Sequence, residues 1–239
     1  MKIRTALERV RFFCLIDIKA TYWLNQQNIL SSIFYYLYAM QQDLKSDFTK
    51  QLIVNEAFKL FYANGFRTTS IDKIMEKTSL SKGAFYHHYK SKKELGLEVI
   101  SLKVQKRVVE GMISPLKQEG NSFNILENVF INRLKEFPFQ EKQNGCPMNN
   151  LINELGNSES IYQTALKSII EKWKSALVEL IEKGKTEGSI KKETPSEAVA
   201  VYLISAFEGI RGIRKLYDND VVLDEFITGL SLYLKQIKA

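Results

Sequence analysis

The sequence is poor in the residues that mark disulfide-rich, linker-rich and membrane-spanning proteins. Its 239 residues include 2 cysteines, 4 prolines and 12 glycines. Cys14 and Cys146 cannot form a disulfide framework, so we expect a cytoplasmic protein in a reducing compartment. No apolar run approaches ~18 residues, so no stable membrane insertion is expected. With so little proline and glycine, a turn-rich β fold is disfavoured, and we predict an all-α chain.

Positive charge is concentrated in the N-terminal half of the chain, although the whole carries only +7. Residues 1–40 have five basic and two acidic side chains, a net +3, and residues 41–111 have thirteen and eight, a net +5. Residues 112–239 have sixteen and seventeen, a net −1. This division predicts a module that binds a polyanion joined to a module for something else. A chance excess of surface lysines is the alternative.

Residues 1–40 form an extension of doubtful status. Their apolar segments, 12–16 and 29–40, are too short to span a bilayer. Charged residues interrupt the apolar core that a signal peptide would need. Three interpretations remain: a helical segment packed on the body, a membrane-surface segment, or a translated region upstream of a true start at Met40. The last is favoured because the first domain signals follow Met40.

Residues 47–90 have the spacing of a helix-turn-helix preceded by a supporting helix. Apolar positions recur with a helical period over residues 47–63, and Gly65 suits the left-handed position after a helix end. Two short helices follow, over about 70–77 and 81–88, joined by the three residues 78–80. DNA-binding domains that insert the second short helix into the major groove have this arrangement.

Serine and threonine mark the predicted helix starts. Thr69 or Ser70 is expected to cap the first short helix and Ser81 the second. Ser91 and Glu94 have the spacing of a capping box that opens a long helix.

The stretch SKGAFYHHYKSKKEL, residues 81–95, has the chemistry of a helix that probes the major groove. Its small side chains permit close approach to bases, and its lysines and aromatic donors can reach guanine acceptors or phosphates. Phe85 and Tyr89 are four residues apart and should anchor the helix to the domain core. The residues expected to contact DNA are Lys82, Gly83, Ala84, Tyr86, His87, Lys90 and Lys92.

A metal site is the competing interpretation of this stretch, because His87 and His88 are adjacent. Neighbouring side chains on a helix point about 100° apart, and zinc sites need more ligands than this pair supplies. The chain has no third histidine. We therefore predict no metal and no cofactor.

Residues 49–95 resemble the N-terminal domain of tetracycline-repressor-type (TetR family) regulators. The family elements A-x-x-L-F-x-x-x-G-F-x-x-T-[ST]-[IV] and S-x-G-x-[FL]-Y-x-H-[FY]-x-[SN]-K-x-x-L occur from Ala57 to Ile71 and from Ser81 to Leu95. The resemblance implies an all-α homodimer that binds palindromic operator DNA through a three-helix domain, residues 41–95. It also implies a larger helical domain, residues 96–239, that dimerises and binds a small-molecule effector.

The resemblance also assigns roles to positions within the motif. Phosphate contacts are implied for Thr69, Ser70, Tyr86, Lys90 and Lys92. Base-facing positions are implied for Lys82, Gly83, Ala84 and His87.

Family logic places dimerisation in the last two helices, expected over residues 196–216 and 221–237. Thr194, Pro195 and Glu197 have the spacing of a helix cap at the start of the first of them. Small and apolar residues form a stripe that fits a symmetric interface, although a core helix would show the same stripe. The candidate interface residues are Ala206, Gly209, Ile213, Phe226 and Leu230.

Cys146 lies in a Gly-Cys-Pro segment that resembles one branch of the family, some of whose members sense electrophiles or oxidants. Asn149 stands where that branch usually has glycine. A thiol at a helix N-terminus has its pKa lowered by the helix dipole, which predicts reactivity. A buried structural cysteine is the alternative. Our hypothesis is that Cys146 lines the effector pocket and can be alkylated.

The rest of the pocket is predicted from aromatic residues of the C-terminal half. Phe123, Phe130, Trp173 and Tyr202 are candidates, although aromatic stripes also form ordinary cores. We expect a small apolar or electrophilic effector.

Two other functions compete with a repressor. A cysteine-dependent enzyme built on Cys146 lacks a placed base, because both histidines lie in the predicted reading helix. A membrane-associated DNA regulator would use residues 1–40. We favour a DNA-binding repressor with no enzymatic activity.

Overall fold

A computed structural model of the chain describes residues 26–136 and 139–239, which form helices joined by turns and short connections, with no strand among them. An isolated β-bridge joins Ile190 to Lys238. Cys14 and the predicted apolar segment 12–16 lie outside the described residues. The chain divides into two compact units, Met1–Gln51 and Leu52–Ala239.

The described part of the first unit belongs to one long helix, α1 (Gln26–Asn64). The predicted helix start near residue 47 is therefore wrong, because the helix already includes Gln26. Large apolar side chains are exposed along this part of α1, namely Ile33, Phe34, Tyr35, Tyr36, Leu37, Tyr38, Leu44 and Phe48. Among the described residues, no helix is both long and apolar enough to cross a membrane.

The second unit begins with the three-helix arrangement that the sequence predicts. α1 ends at Asn64, and Gly65 follows with φ of 89°, a left-handed conformation that glycine adopts without a steric penalty. α2 (Ile71–Thr78) and α3 (Lys82–His88) come next. Phe85 and Tyr89 are buried in the core, so the predicted anchoring of α3 is confirmed.

Serine side chains cap three successive helices, as predicted. The hydroxyl oxygen of Ser70 accepts a hydrogen bond from the Lys73 N–H at 3.2 Å, and Ser81 accepts from the Ala84 N–H at 3.2 Å. Ser91 accepts from the Glu94 N–H at 3.3 Å. Each cap satisfies a backbone donor that the helix itself leaves unpaired.

Seven further helical segments follow in the second unit. They are α4 (residues 92–116), α5 (residues 122–135), α6 (Phe139–Asn144), α7 (Pro147–Leu155), α8 (Ser160–Glu187), α9 (Ser196–Ile213) and α10 (Val221–Ile237). π-helical turns interrupt α4 at Ile100–Gln105 and Val109–Ile113, and α5 at Asn128–Asn132. α8 is central, since it packs against α4, α5, α7 and α9.

One local prediction in this region is wrong. Thr194 is expected to cap α9, but Pro195 holds the cap position and the Thr194 side chain is buried. The helix therefore begins one residue later than the cap pattern suggests, without a side-chain cap.

Candidate functional site

α3 presents a row of exposed side chains on a firmly anchored helix. Phe85 is fully buried, whereas its neighbour Tyr86 is 58% exposed. Ala84 is half-buried, and the predicted DNA-contacting residues that are exposed on or beside α3 are Lys82, Gly83, Tyr86, His87 and Lys90. The arrangement leaves polar and small side chains available to a groove while the aromatic face holds the helix in place.

Lys82 at the start of α3 forms an ion pair with Asp72 of α2, with Nζ and Oδ1 2.7 Å apart. The hydrogen bond to Asp72 raises the pKa of Lys82. Both side chains are exposed, and exposed pairs of this kind contribute little to stability. Lys82 can therefore exchange Asp72 for a phosphate or a base edge at small cost.

One predicted phosphate contact, Thr69, points into the protein instead. Thr69 is fully buried, and its hydroxyl donates to the Gly65 carbonyl at 2.7 Å. Its side chain cannot reach a phosphate, so the predicted phosphate contact of Thr69 is wrong. Ser70, the next residue, is exposed at the start of α2.

The Lys92 side chain binds the loop before α2 and is not available on the surface for DNA. Its ammonium donates to the carbonyls of Phe66 at 2.9 Å, Thr69 at 3.0 Å and Arg67 at 3.3 Å. These bonds use all three donors of the lysine. Burial lowers the pKa of Lys92. The prediction that Lys92 contacts phosphate is therefore corrected: its ammonium stabilises the loop before α2 through hydrogen bonds to backbone carbonyls.

The same loop is held from a second side by Glu154 of α7, a residue that sequence reasoning missed. Its carboxylate accepts hydrogen bonds from the backbone N–H groups of Phe66, at 2.7 Å, and of Arg67. Nearby, the Tyr62 hydroxyl of α1 donates to the Gly145 carbonyl at 2.6 Å, directly before α7. α7 is thus tied at both ends to the three-helix domain.

A pocket of about 290 Å³ lies among α4 to α9. Seven of its lining residues are charged, so its wall is far less apolar than predicted. The described residues that line it are Val104, Arg107, Val108, Glu110, Gly111, Met112, Arg133, Glu136, Glu141, Cys146, Pro147, Met148, Trp173, Glu208 and Arg211.

The aromatic predictions for this pocket hold only in part. Trp173 and Cys146 line it. Phe130 does not, because it packs against Trp173 with ring centroids 6.4 Å apart. Phe123 is buried elsewhere, with the Lys238 ammonium 4.9 Å from its ring centroid. Tyr202 is 47% exposed, so its assignment to the pocket is corrected.

Buried ion pairs organise one wall of the pocket. The Glu141 carboxylate is paired with Arg107 and, at 2.7 Å, with Arg211. Arg211 Nη1 also lies 3.8 Å from Glu208 Oε1. Burial raises the pKa of Glu208, and the Arg211 charge opposes that rise. Glu208 therefore takes up a proton more readily than an exposed carboxylate does.

Cys146 is buried in this wall, and its environment opposes thiolate formation. Its Sγ donates to Glu208 Oε1 at 3.3 Å. Burial, followed by the Glu208 carboxylate, raises the pKa of Cys146 to about 12. The expectation that the helix dipole lowers this pKa is wrong, because desolvation and a neighbouring acid outweigh the dipole of the short helix α7. A nucleophilic cysteine needs the opposite environment.

The exposed surface of α9 and α10 mixes small and apolar side chains. Gly209 is exposed with open space where a Cβ would stand, and Ile213 is 50% exposed. Ala206 and Phe226 are half-buried. Leu230 is buried within its own chain, so it is removed from the predicted interface. Tyr202 belongs to this surface instead, where its ring packs at a tilt against Tyr233 with ring centroids 4.3 Å apart.

Both parts of the second unit match known sequence families. Residues 53–99 match the family described as bacterial regulatory proteins, tetR family, and residues 126–230 match the tetracyclin repressor-like C-terminal domain. The Transposon Tn10 TetC protein of Escherichia coli is 31% identical over 142 residues, covering 59% of this chain and 69% of that protein. The chain belongs to the TetR family of transcriptional regulators.

Two further comparisons agree with this family. The HTH-type transcriptional repressor DhaR of Mycobacterium sp. (strain GP1) is 24% identical over 186 residues, covering 75% of this chain and 88% of DhaR. A crystal structure of a TetR transcriptional regulator from Chloroflexus aurantiacus J-10-FL superposes with a TM-score of 0.72 at 24% identity. It covers 81% of this chain and 98% of that one. The predicted family and all-α fold are confirmed.

Proposed function

We propose that this TetR-family regulator is a ligand-responsive repressor. As a homodimer it binds a palindromic operator, and it releases the operator when a small effector occupies the pocket. The exposed face of α3 carries the proposal. Lys82, Gly83, Ala84 and His87 face bases, and Ser70, Tyr86 and Lys90 contact phosphates.

Dimerisation is supported by the exposed surface of α9 and α10. Tyr202, Gly209 and Ile213 lie at helical spacing on α9, and small residues at such positions allow close helix approach. A two-fold dimer presents two copies of α3 to successive major grooves, about 34–36 Å apart or a multiple of that distance. A palindromic operator matches this symmetry.

Effector control is supported by the two attachments of α7. Cys146 and Met148, at one end of this helix, line the pocket, while Glu154, near the other end, holds the loop before α2. A ligand that displaces α7 would pull on this loop through Glu154. The position of α3 would change with it, because α2 and α3 share one core.

The raised pKa of Cys146 argues against covalent capture of an electrophile as the general means of induction. Replacement of Cys146 by serine tests this directly. A regulator that releases its operator through ligand binding should respond to its inducers as the wild type does. Loss of all responses in Cys146→Ser would restore the covalent hypothesis.

Footprinting and mobility-shift assays on the DNA upstream of the chain's own gene test the proposal. We expect a two-fold symmetric footprint and an affinity that falls linearly with salt on logarithmic axes. A matched scrambled fragment should bind more weakly at every salt concentration. An asymmetric footprint, or equal binding to the scrambled fragment, would overturn the operator assignment.

A further inference from the structure

Three buried polar atoms of pocket-lining residues have no hydrogen-bond partner within the described part of the chain. They are Arg133 Nε, Trp173 Nε1 and Glu208 Oε2. Buried polar atoms are almost always paired in native proteins, because desolvation without a partner is costly. Their concentration at one pocket indicates a ligand that supplies the missing partners.

Some charged side chains of the pocket are already paired with other side chains, and one cation has no acidic partner among the described residues. Glu141 is paired with Arg107 and Arg211, and Glu208 Oε1 accepts from Cys146. Arg133 has no acidic side chain within ion-pair distance among the described residues, including Glu110 and Glu136, the exposed acids of the pocket lining. Arg133 is therefore the pocket cation that an anion can pair with.

The unpartnered atoms are suited to an oxygen anion. The Arg133 Nε–H and the Trp173 indole N–H are both donors. Burial raises the pKa of Glu208, and in its protonated form this carboxyl is a donor as well. A ligand that offers acceptor oxygens would satisfy both N–H donors, and it would also satisfy Glu208 when this carboxyl is protonated.

The local backbone leaves room for the Arg133 guanidinium. A Cβ at Gly111 would lie 3.3 Å from Arg133 Nη2, a tight contact that glycine avoids. Gly111 lies in the π-helical turn Val109–Ile113, and Arg133 directly follows the π-helical turn Asn128–Asn132. Such turns are frequent at functional sites.

We propose that the pocket binds a small organic monocarboxylate. Its carboxylate group is held by the Arg133 guanidinium, whose planar donors match carboxylate geometry, and by the Trp173 indole N–H. The apolar part of the ligand packs against Val104, Val108 and Met148 of the pocket lining. The inference rests on the proposed function in one respect, namely that this ligand is the effector.

Isothermal titration calorimetry with the full chain tests the ligand class. The probes are monocarboxylates from propionate to octanoate, together with benzoate, each measured beside its primary amide. We expect saturable binding of at least one acid, about tenfold or more tighter than its amide. If no acid binds, or if the amides bind as tightly as the acids, the proposal is overturned.

Arg133 variants test the site. Arg133→Met should weaken binding of the acid about tenfold or more and leave amide binding unchanged. Lys135→Met removes the same charge from an exposed position of the same helix and should bind like wild type. Equal affinities in the two variants would overturn the assignment to Arg133. If Arg133→Met fails to fold by circular dichroism, Arg133→Gln, which also removes the charge, serves instead, and wild-type affinity in it would be equally decisive.

A mobility-shift assay with the same acids separates this inference from the proposed function. An acid that binds the protein yet never releases the operator leaves the ligand class standing and overturns its role as effector. Failure to bind any operator would overturn the proposed function whatever the calorimetry shows.

Discussion

The α3 surface and the pocket hold their charges in opposite ways. On α3, Lys82 and its partner Asp72 are both exposed, so the pair can open toward a phosphate at little cost. In the pocket, Glu141, Glu208 and Arg211 are largely removed from water and bonded to one another. The comparison indicates that exposed cations suit exchange with a polyanion, whereas the buried network suits selection of one small ligand.

Neighbouring residues of the three-helix domain also differ in this way, with one side chain buried or bonded within the protein and the other exposed. Phe85 is buried and Tyr86 exposed; Lys90 is exposed, while Lys92 is bonded to three carbonyls. Each pair has similar chemistry and opposite placement. Substitutions within these pairs can therefore separate stability from DNA binding.

The largest expected effect is on the anchor of α3. Phe85→Ala should lower the free energy of unfolding by about 3–5 kcal/mol, because it leaves a cavity in the domain core. Tyr86→Ala, its exposed neighbour, should lower it by less than about 1 kcal/mol. Urea denaturation followed by circular dichroism measures both. Similar losses in the two variants would show that α3 is not anchored on its Phe85 face.

The second-largest expected effect is a reduced rate of alkylation of the Cys146 thiol. With its pKa raised to about 12, alkylation at pH 8 should be at least about a hundredfold slower than for a free thiol. The rate should keep rising with pH above the usual thiol range. Because the folded-state pKa is higher than that of the unfolded chain, this thiol makes the free energy of unfolding fall as the pH rises from about 9 toward 12, and it adds no pH dependence near neutrality.

Iodoacetamide labelling in a Cys14→Ser background, where Cys146 is the remaining thiol, checks this prediction by mass spectrometry. Urea-unfolded protein provides the reference rate. A native rate equal to the unfolded rate at pH 8 would contradict a buried thiol beside Glu208.

A moderate effect distinguishes the two lysines. Lys92→Met should lower the free energy of unfolding by about 1.5–3 kcal/mol, since three carbonyls lose a charged donor. It should leave the salt dependence of operator binding unchanged. Lys90→Met should keep wild-type stability and reduce the logarithmic salt slope by about one unit. The reverse pattern in operator titrations would exchange the roles assigned to the two residues.

The last expected effect on stability, smaller than that of Lys92→Met, belongs to Glu154. Glu154→Gln keeps one acceptor oxygen for the Phe66 and Arg67 amides, so unfolding should become easier by about 1 kcal/mol. Release of the operator by an effector should be blunted, because α7 would hold the loop less firmly. Glu193→Gln, an exposed substitution, is the control. Wild-type release in the Glu154 variant would exclude this route of control.

Local signals in the sequence were sufficient for the end of α1 and for the short helices α2 and α3, although they placed the start of α1 too late. Gly65 ends α1, and Ser70, Ser81 and Ser91 each cap the helix that follows, as their spacing predicts. These features depend on residues within four positions of one another. The last helix, α10, can also be predicted from the local sequence, because its apolar residues recur with a regular helical period.

The features that sequence reasoning missed depend on distant residues. Glu208, which raises the pKa of Cys146, is 62 positions away, and Glu154 is 88 positions from Phe66. Nothing near Lys92 distinguishes it from Lys90, since the carbonyls it binds are more than twenty residues earlier. The charged pocket likewise combines side chains from six helices, so no local period predicts it.

Fluorescence anisotropy with a labelled operator fragment tests the division of labour between α3 and the pocket most directly. We expect Tyr86→Ala to weaken operator binding about tenfold, through loss of a phosphate contact on an intact fold. Arg133→Met, in the pocket, should bind the operator as the wild type does in the absence of effector. Wild-type affinity in Tyr86→Ala, or an equal loss in both variants, would contradict the assignment of DNA reading to the exposed face of α3.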